Sequence, residues 1–209
     1  MTTATSRRGT RLVVPRPSLS DWESWYAGGG QNRIVGDREM ERFYNAVHPG
    51  PGMAAADIGC GTGRWTRQLS RWGIQVTGYD FCAAALSQAE AMGTSEGLSY
   101  ARWDVNVEPI PLALRPGSLD LITCRLSLGY FDVQRFINDA GRLLTPRGTF
   151  YALVPLHRVD RRPFKGCFHR GLAEDEITQI GVGWSHRQVY PFRGHSRAIV
   201  LRGYGCRRV

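Results

Sequence analysis

The sequence predicts an α/β fold, a doubly wound, mostly parallel sheet of seven strands in a three-layer α/β/α arrangement, entered through an N-terminal helical arm. Three observations predict it. From Met53 onward, short apolar runs alternate with segments of helical spacing, the pattern of strands joined by crossover helices. The first four runs end in Asp57, Asp80, Asp104 and Cys124-Arg125, and right-handed crossovers bring such ends to one edge of the sheet. The 209 residues, 42% hydrophobic and 22% charged, suit one soluble domain with a sizeable core.

Each element follows in order. Residues 1–20 are polar, with Arg7, Arg8, Arg11 and Arg16 and no sustained apolar period, so they read as a flexible segment. Residues 21–52 read as a helical arm or lid. An aromatic cluster of Trp22, Trp25 and Tyr26 precedes three glycines, and Met40, Phe43, Tyr44 and Val47 then recur at helical spacing until Pro49-Gly50-Pro51-Gly52 stops the helix. The α/β domain spans 53–209. Its first strand covers 53–58 and its first helix 63–72. A second strand over 74–79 reaches Asp80, and an alanine-rich helix follows over 82–92. The third strand, 98–103, reaches Asp104. Pro109, Pro111 and Pro116 predict a loop over 105–118 in place of a crossover helix. A fourth strand over 119–124 leads into a polar-aromatic loop over 125–132, a helix from Val133 to Leu144, and a fifth strand over 149–154. Residues 155–171 are basic and aromatic without a period, 172–180 read as a short helix, and 185–192 and 197–204 as two closing strands.

Composition removes several function classes. No apolar run approaches the roughly 20 residues that span a bilayer, and the N-terminus lacks the apolar block of a secretory signal, so a cytoplasmic location is expected. The five cysteines are scattered and form no CxxC pair, which indicates neither a metal site nor a disulfide framework. The net charge of +9 rests on 27 basic residues, all arginine except Lys165. Such a balance admits a nucleic-acid or acidic partner without requiring one.

The chemistry centres on Asp57-Ile58-Gly59-Cys60-Gly61-Thr62-Gly63. A strand that runs into a glycine turn and a helix is common to several nucleotide folds. The spacing here is Gly-x-Gly-x-Gly, unlike the Gly-x-Gly-x-x-Gly of a pyrophosphate site. Asp57 would repel pyrophosphate but suits an ammonium group. Asp80 closes the second strand, where a carboxylate can accept both hydroxyls of a ribose. A ligand with an adenosine-like ribose and a cationic amino-acid tail meets all three conditions.

With these residues in view, the stretch from Trp22 to Tyr204 resembles the class I S-adenosylmethionine-dependent methyltransferases of small-molecule type, whose fold is Rossmann-like. Asp57 to Gly63 looks like the family's first motif, Gly78-Tyr79-Asp80-Phe81 like its ribose-binding position, and Trp103-Asp104-Val105 like its adenine-binding position. Pro116 to Tyr130 is similar to its fourth strand and following loop, and Gly141 to Thr149 to the approach to its fifth strand. The resemblance implies S-adenosylmethionine as donor and S-adenosylhomocysteine as product. It implies that Gly59, Gly61 and Gly63 let the backbone approach the methionine part and the sulfonium, and that Asp57 orients water or the ammonium group. Asp80 would hold the ribose with Phe81 beside the adenine, Asp104 would accept from the adenine amino group, and Val105 would offer backbone contact. Cys124 and Arg125 would close the methionine end, and Tyr26 and Arg33 would cover the donor.

One departure concerns the acceptor. Gly129 stands where small-molecule members often carry a histidine, so no base is assigned there. His157, just after the fifth strand, and Tyr130 are the candidates to touch the acceptor. Trp22, Trp25 and Tyr26 read as packing for the arm. Arg158, Arg161, Arg162, Lys165 and Arg170 read either as a solvated face or as an acceptor lid, and the lid reading favours an anionic small molecule. Two other functions stay open: a protein that methylates or grips nucleic acid, and a donor-binding domain without methyl transfer. Arg125-Leu126-Ser127-Leu128 stands where nucleobase enzymes of the family carry their Asn/Asp-Pro-Pro-aromatic tetrapeptide, which argues against the first.

Overall fold

In the computed structural model, residues 16–30, 33–157, 168, 170–192 and 195–205 are described. Two helices, α1 (Leu19–Ala27) and α2 (Asp37–Val47), precede the sheet. Then come β1 (Ala54–Ile58), α3 (Arg64–Ser70), β2 (Gln75–Asp80), α4 (Ala83–Ala91) and β3 (Leu98–Arg102). A long loop leads to β4 (Leu119–Arg125), a single 3-10 turn (Leu128–Tyr130), α5 (Val133–Leu143) and β5 (Leu144–Pro155). The chain closes with α6 (Glu174–Gln179), β6 (Trp184–Phe192) and β7 (Ser196–Tyr204). The strands form one seven-stranded sheet in the order β3-β2-β1-β4-β5-β7-β6. The first five pair in parallel, and β7 runs antiparallel to both β5 and β6.

The strand order reverses between β1 and β4, which is why the site forms there. β2 and β3 build outward from one side of β1, while β4 and β5 build from the other. In open α/β sheets ligands bind beyond the carboxyl ends of the strands at that switch point. Asp57, Asp80 and Arg125 stand along it.

Both faces of the sheet are covered. On one, Phe43 and Val47 of α2 and Trp65 and Leu69 of α3 pack on Val76, Leu121, Tyr151 and Val200. Phe43 is fully buried, with its ring edge-on to Trp65 and Tyr151 at 4.8 Å each. On the other face, Phe136, Ile137, Ala140 and Leu143 of α5 pack with Ile177 on Ile122, Phe150, Ala152 and Ile199. A smaller cluster of Tyr26, Cys82 and Ala85 joins α1 to α4.

Most boundaries lie within a few residues of the sequence reading, and two differences have a clear structural cause. β5 begins at Leu144, five residues early, because Leu119 already pairs with Leu144 before the register shifts and Leu121 pairs with Thr149. The Thr145-Pro146-Arg147-Gly148 stretch, between the helix and the fifth strand expected from the sequence, is therefore an irregularity inside the strand. α1 begins at Leu19, where the Ser18 hydroxyl accepts the Asp21 N–H and the Asp21 carboxylate accepts the Ser18 N–H, a capping box. The proline-bearing 105–118 stretch holds no helix, as its three prolines dictate. No helix among the described residues is long and apolar enough to cross a membrane.

Candidate active site

The glycine turn is packed from within the protein. Gly59 has φ +70°, and a Cβ there would lie 2.5 Å from the Ser127 Cβ. Gly63 has φ +68° and its Cβ direction is filled by the Tyr100 ring and hydroxyl. Both positions thus combine a left-handed backbone with the close approach of a neighbouring side chain, so only glycine fits. The N–H groups of Gly59 and Cys60 donate to the Tyr79 carbonyl, which ties the turn to β2. Asp80 completes the junction: its carboxylate accepts the Gly61 N–H at 2.8 Å and the Cys82 N–H at 3.0 Å. Burial raises the Asp80 carboxyl above its ordinary range, against those hydrogen bonds, and the nearby Glu23 raises it further.

Asp57 is buried at the end of β1 and binds two hydroxyls, Thr66 of α3 at 2.7 Å and Thr123 of β4 at 2.8 Å. Thr123 is its register partner on the neighbouring strand. One carboxylate therefore joins two strands and the following helix. Desolvation pushes its pKa up to about 6, although both hydroxyls and the Arg125 charge oppose the shift. A cavity of about 10 Å³ beside it, bounded also by Gly59, Cys60, Arg64, Trp65 and Arg125, has room for about one water.

Arg125 does more than supply backbone. Its guanidinium forks onto the Glu39 carboxylate of α2, with both side chains under a tenth exposed. It also donates to the carbonyls of Arg33 at 3.1 Å and Ile34 at 3.2 Å. The arm is thus clamped to the end of β4. Arg33 takes part through its carbonyl, and the residue as a whole is exposed. Glu39 has a signal in the sequence: it lies four and eight residues before Phe43 and Val47, a carboxylate on the buried face of its helix.

α1 lies over the same edge. The Glu23 carboxylate accepts the N–H groups of Ala83 and Ala84, capping α4 beside Asp80. Tyr26 is buried and its carbonyl accepts from the Gln88 side chain. Trp22 packs edge-on against Tyr130 at 5.4 Å and Phe168 at 4.9 Å, while Trp25 stacks on Phe168 at 5.7 Å. The aromatic residues read as arm packing do pack the arm, against Tyr130 and Phe168.

Leu126 carries a strained backbone, φ +66°, a conformation costly for leucine. That kink turns Ser127 back under the glycine turn, where its hydroxyl reaches the Ile58 carbonyl at 2.9 Å and Cys124 Sγ at 3.2 Å. Neither residue has a sequence signal. Cys124 is fully buried and its thiol is pushed up to about 12. Asp104 accepts the Asn106 N–H at 2.9 Å in a local turn just past β3. Val105 is buried in the core, and Phe81 is half-buried against the α1–α4 cluster.

Of the two acceptor-side candidates, Tyr130 packs beneath α1 and His157 lies exposed beyond β5. The Tyr130 ring meets Trp22 and its hydroxyl accepts the Arg170 N–H at 3.1 Å. His157 is exposed beyond β5, with its backbone N–H on the Leu172 carbonyl. Gly129 has a steric reason: a Cβ there would lie 2.8 Å from the Arg170 carbonyl. The 170 segment occupies the direction a histidine would need. Arg158, Arg161, Arg162 and Lys165, read as a lid or a solvated face, lie outside the described residues.

The donor set can be tested against S-adenosylmethionine. Glu23, Asp57 and Asp80 gather at one edge; burial raises both aspartates, with Asp80 adding to the rise of Asp57 and Glu23 to that of Asp80. Arg125 is the cation that lowers Asp57, and it is bound to Glu39. Such an edge resists a phosphate-rich ligand and accepts a cationic one. The residues fit the donor.

Comparisons with known proteins agree. Residues 56–152 match the methyltransferase domain family. The ubiquinone biosynthesis O-methyltransferase of Nitrosococcus oceani is 35% identical over 149 residues, covering 68% of this chain and 63% of that protein. Its counterpart in Xanthomonas campestris is 29% identical over 137 residues, covering 65% and 56%. The chain thus spans less than two thirds of the curated relatives it matches. A Mesorhizobium loti S-adenosylmethionine-dependent methyltransferase shares the fold with a TM-score of 0.65 at 19% identity, covering 80% of this chain and 98% of that one. Haemonchus contortus phosphoethanolamine N-methyltransferase 2, solved with S-adenosyl-L-methionine, gives 0.68 at 17% identity, covering 90% and 57%. Motif order, sheet topology and the matched domain agree: residues 56–152 match a methyltransferase domain, set in the fold of the S-adenosylmethionine-dependent methyltransferases.

Proposed function

We propose that this protein transfers the methyl group of S-adenosylmethionine to an oxygen or nitrogen of a small organic acceptor. The observation that carries the reading is Asp80, buried at the end of β2 and held by the Gly61 and Cys82 N–H groups beside the glycine turn. The donor supplies an electrophilic methyl on a cationic sulfur. Asp80 accepts the ribose hydroxyls with its remaining lone pairs. Asp57 provides negative potential and holds β1, β4 and α3 in register around the turn. Asp104, Val105 and Phe81 flank the adenine, and Cys124 and Arg125 close the methionine end. Tyr26 and the Arg33 segment cover the donor.

The acceptor enters beneath α1, between Tyr130 and Phe168. Trp22, Trp25 and Phe168 keep water from this space and hold the acceptor in line with the scissile bond. Alignment in a dry site accounts for much of the acceleration in such a displacement. A phenolate or carboxylate acceptor needs no base; for a neutral hydroxyl, Tyr130 and His157 are the groups to test. The curated relatives' names favour O-methylation, and the basic 158–170 segment favours an anionic acceptor. The absence of the nucleobase tetrapeptide after β4 argues against RNA or DNA.

Calorimetric titration with S-adenosylhomocysteine tests the donor, and wild type should bind where Asp80→Ala does not. A screen of phenolic and carboxylic acceptors by mass should then show gain of one methyl group. Failure of wild type to bind S-adenosylhomocysteine would remove the reading.

A further inference from the structure

A second concavity lies on the opposite edge, where the strands begin. It is a groove of about 840 Å³ between the end of α2 and the β5–β7–β6 part of the sheet. Its floor is a row across three strands: Thr149 of β5 pairs with Arg202 of β7, which pairs with His186 of β6. Directly paired residues point to one face, and this is the face that carries α2, because the Arg202 guanidinium donates to the Ala46 carbonyl as well as to the Thr149 hydroxyl. Arg42 enters from α2, donating to the Pro191 carbonyl at 2.9 Å with its guanidinium over the Phe192 ring. Arg147 and His48 stand exposed at the lip.

Two features make this more than a basic surface. First, its charge is only partly offset, three arginines facing one acid. The acceptors that fix Arg42 and Arg202 are carbonyls, a hydroxyl and a ring, and none of Arg42, Arg147 and Arg202 has an ion pair among the described residues. The one acid in the lining, Asp120, is engaged on both oxygens by the Ala54 N–H and the Thr145 hydroxyl. Second, His48 caps α2 in the left-handed region at φ 53°, where glycine would fit without strain. The fold holds an imidazole at the lip in a conformation that disfavours it.

We propose that this groove binds a phosphate-bearing small molecule of nucleotide size, at a site separate from the donor edge. Guanidinium groups held by neutral acceptors are preorganised to pair with phosphate oxygens. The volume lies within the range of small-molecule sites. Tyr190, Met53 and Val47 in its wall offer apolar contact to the organic part. Several cations around one groove favour a multiply charged group such as a diphosphate over a single carboxylate.

The test uses the full chain, saturated with S-adenosylhomocysteine or free of it, and follows amide shifts on titration with inorganic pyrophosphate and with uridine diphosphate. Both ligands should shift His48, Arg147, Thr149 and His186 and leave the glycine turn unmoved, and S-adenosylhomocysteine should not compete. Uridine diphosphate should bind more tightly than pyrophosphate if the apolar wall contributes. Arg147→Glu should weaken both by about tenfold or more with the thermal midpoint and S-adenosylhomocysteine affinity unchanged, and Arg147→Gln should fall between. Absence of binding at millimolar ligand, shifts centred on the glycine turn, or indifference to Arg147→Glu would overturn the proposal. Tighter, Arg147-dependent binding of a single-stranded RNA would overturn it too, in favour of a nucleic-acid surface.

Discussion

Gly59 shows how a residue that looks ligand-facing in sequence is also held by the protein. A methyl group added there meets Ser127 at 2.5 Å on a backbone with φ +70°. Gly59→Ala should destabilise the fold by about 2–4 kcal/mol, from the left-handed penalty and overpacking together. Denaturant unfolding of Gly59→Ala with and without Ser127→Gly separates the parts. The second change should recover the steric share and leave the backbone share. Additive losses would mean that Ser127 is not the obstacle. Asp57 makes a prediction with a sign. Its carboxyl rises on folding from 3.8 to about 6, so the folded chain holds the proton more tightly than the unfolded one. The stability from this group is complete below 3.8 and is lost as pH rises to about 6, by on the order of 3 kcal/mol. The difference in unfolding free energy between wild type and Asp57→Asn should fall across that window and level off above it. A difference that stays flat from acid to neutral would show that burial does not dominate. By the same linkage, a cationic ligand beside Asp57 should bind more tightly as pH rises through about 6.

At the scale of elements, the arm and the sheet are joined by charge in two places. Arg125 of β4 holds Glu39 of α2 and the 33–34 backbone, and Glu23 of α1 caps α4. Removing one partner of a buried pair strands the other, so Glu39→Ala should cost about 3–5 kcal/mol. The combination Glu39→Leu with Arg125→Met should cost less than Glu39→Ala alone, measured by the same unfolding transitions. A double variant as unstable as the sum of its parts would show that the pair is not coupled. Element identity was largely legible. Apolar period marked every strand and the helices α2 to α6, and the prolines of 105–118 marked the missing crossover helix. The start of β5 was not, because a register shift beside Pro146 has no periodic signature. The Glu39–Arg125 pair spans 86 residues, beyond the reach of any local pattern.

At the scale of the whole molecule, ligand and fold are linked by mass action. If the donor edge binds only the folded chain, S-adenosylhomocysteine at about 100 times its Kd should stabilise by about 2.7 kcal/mol. For a chain of this length that corresponds to a rise in Tm of about 5–10 °C. The rise should be seen by thermal scanning of wild type and should largely vanish in Asp80→Ala. An equal rise in both would place the ligand elsewhere. The groove at the other edge predicts a second, independent rise with pyrophosphate that Asp80→Ala retains and Arg147→Glu removes.

The chain's own order of residues determined the alternation of strand and helix, the glycine turn, and the acids at the ends of β1, β2 and β3. Those features are written locally, in which residues can be buried and which backbone conformations they allow. Tertiary structure alone decided which side chains meet. It set Thr123 opposite Asp57, Ser127 beneath Gly59, Arg170 against Gly129, and the row Thr149–Arg202–His186 under α2. The reason is register: a one-residue slip along a strand turns every side chain to the other face. That register is settled by packing between residues dozens of positions apart.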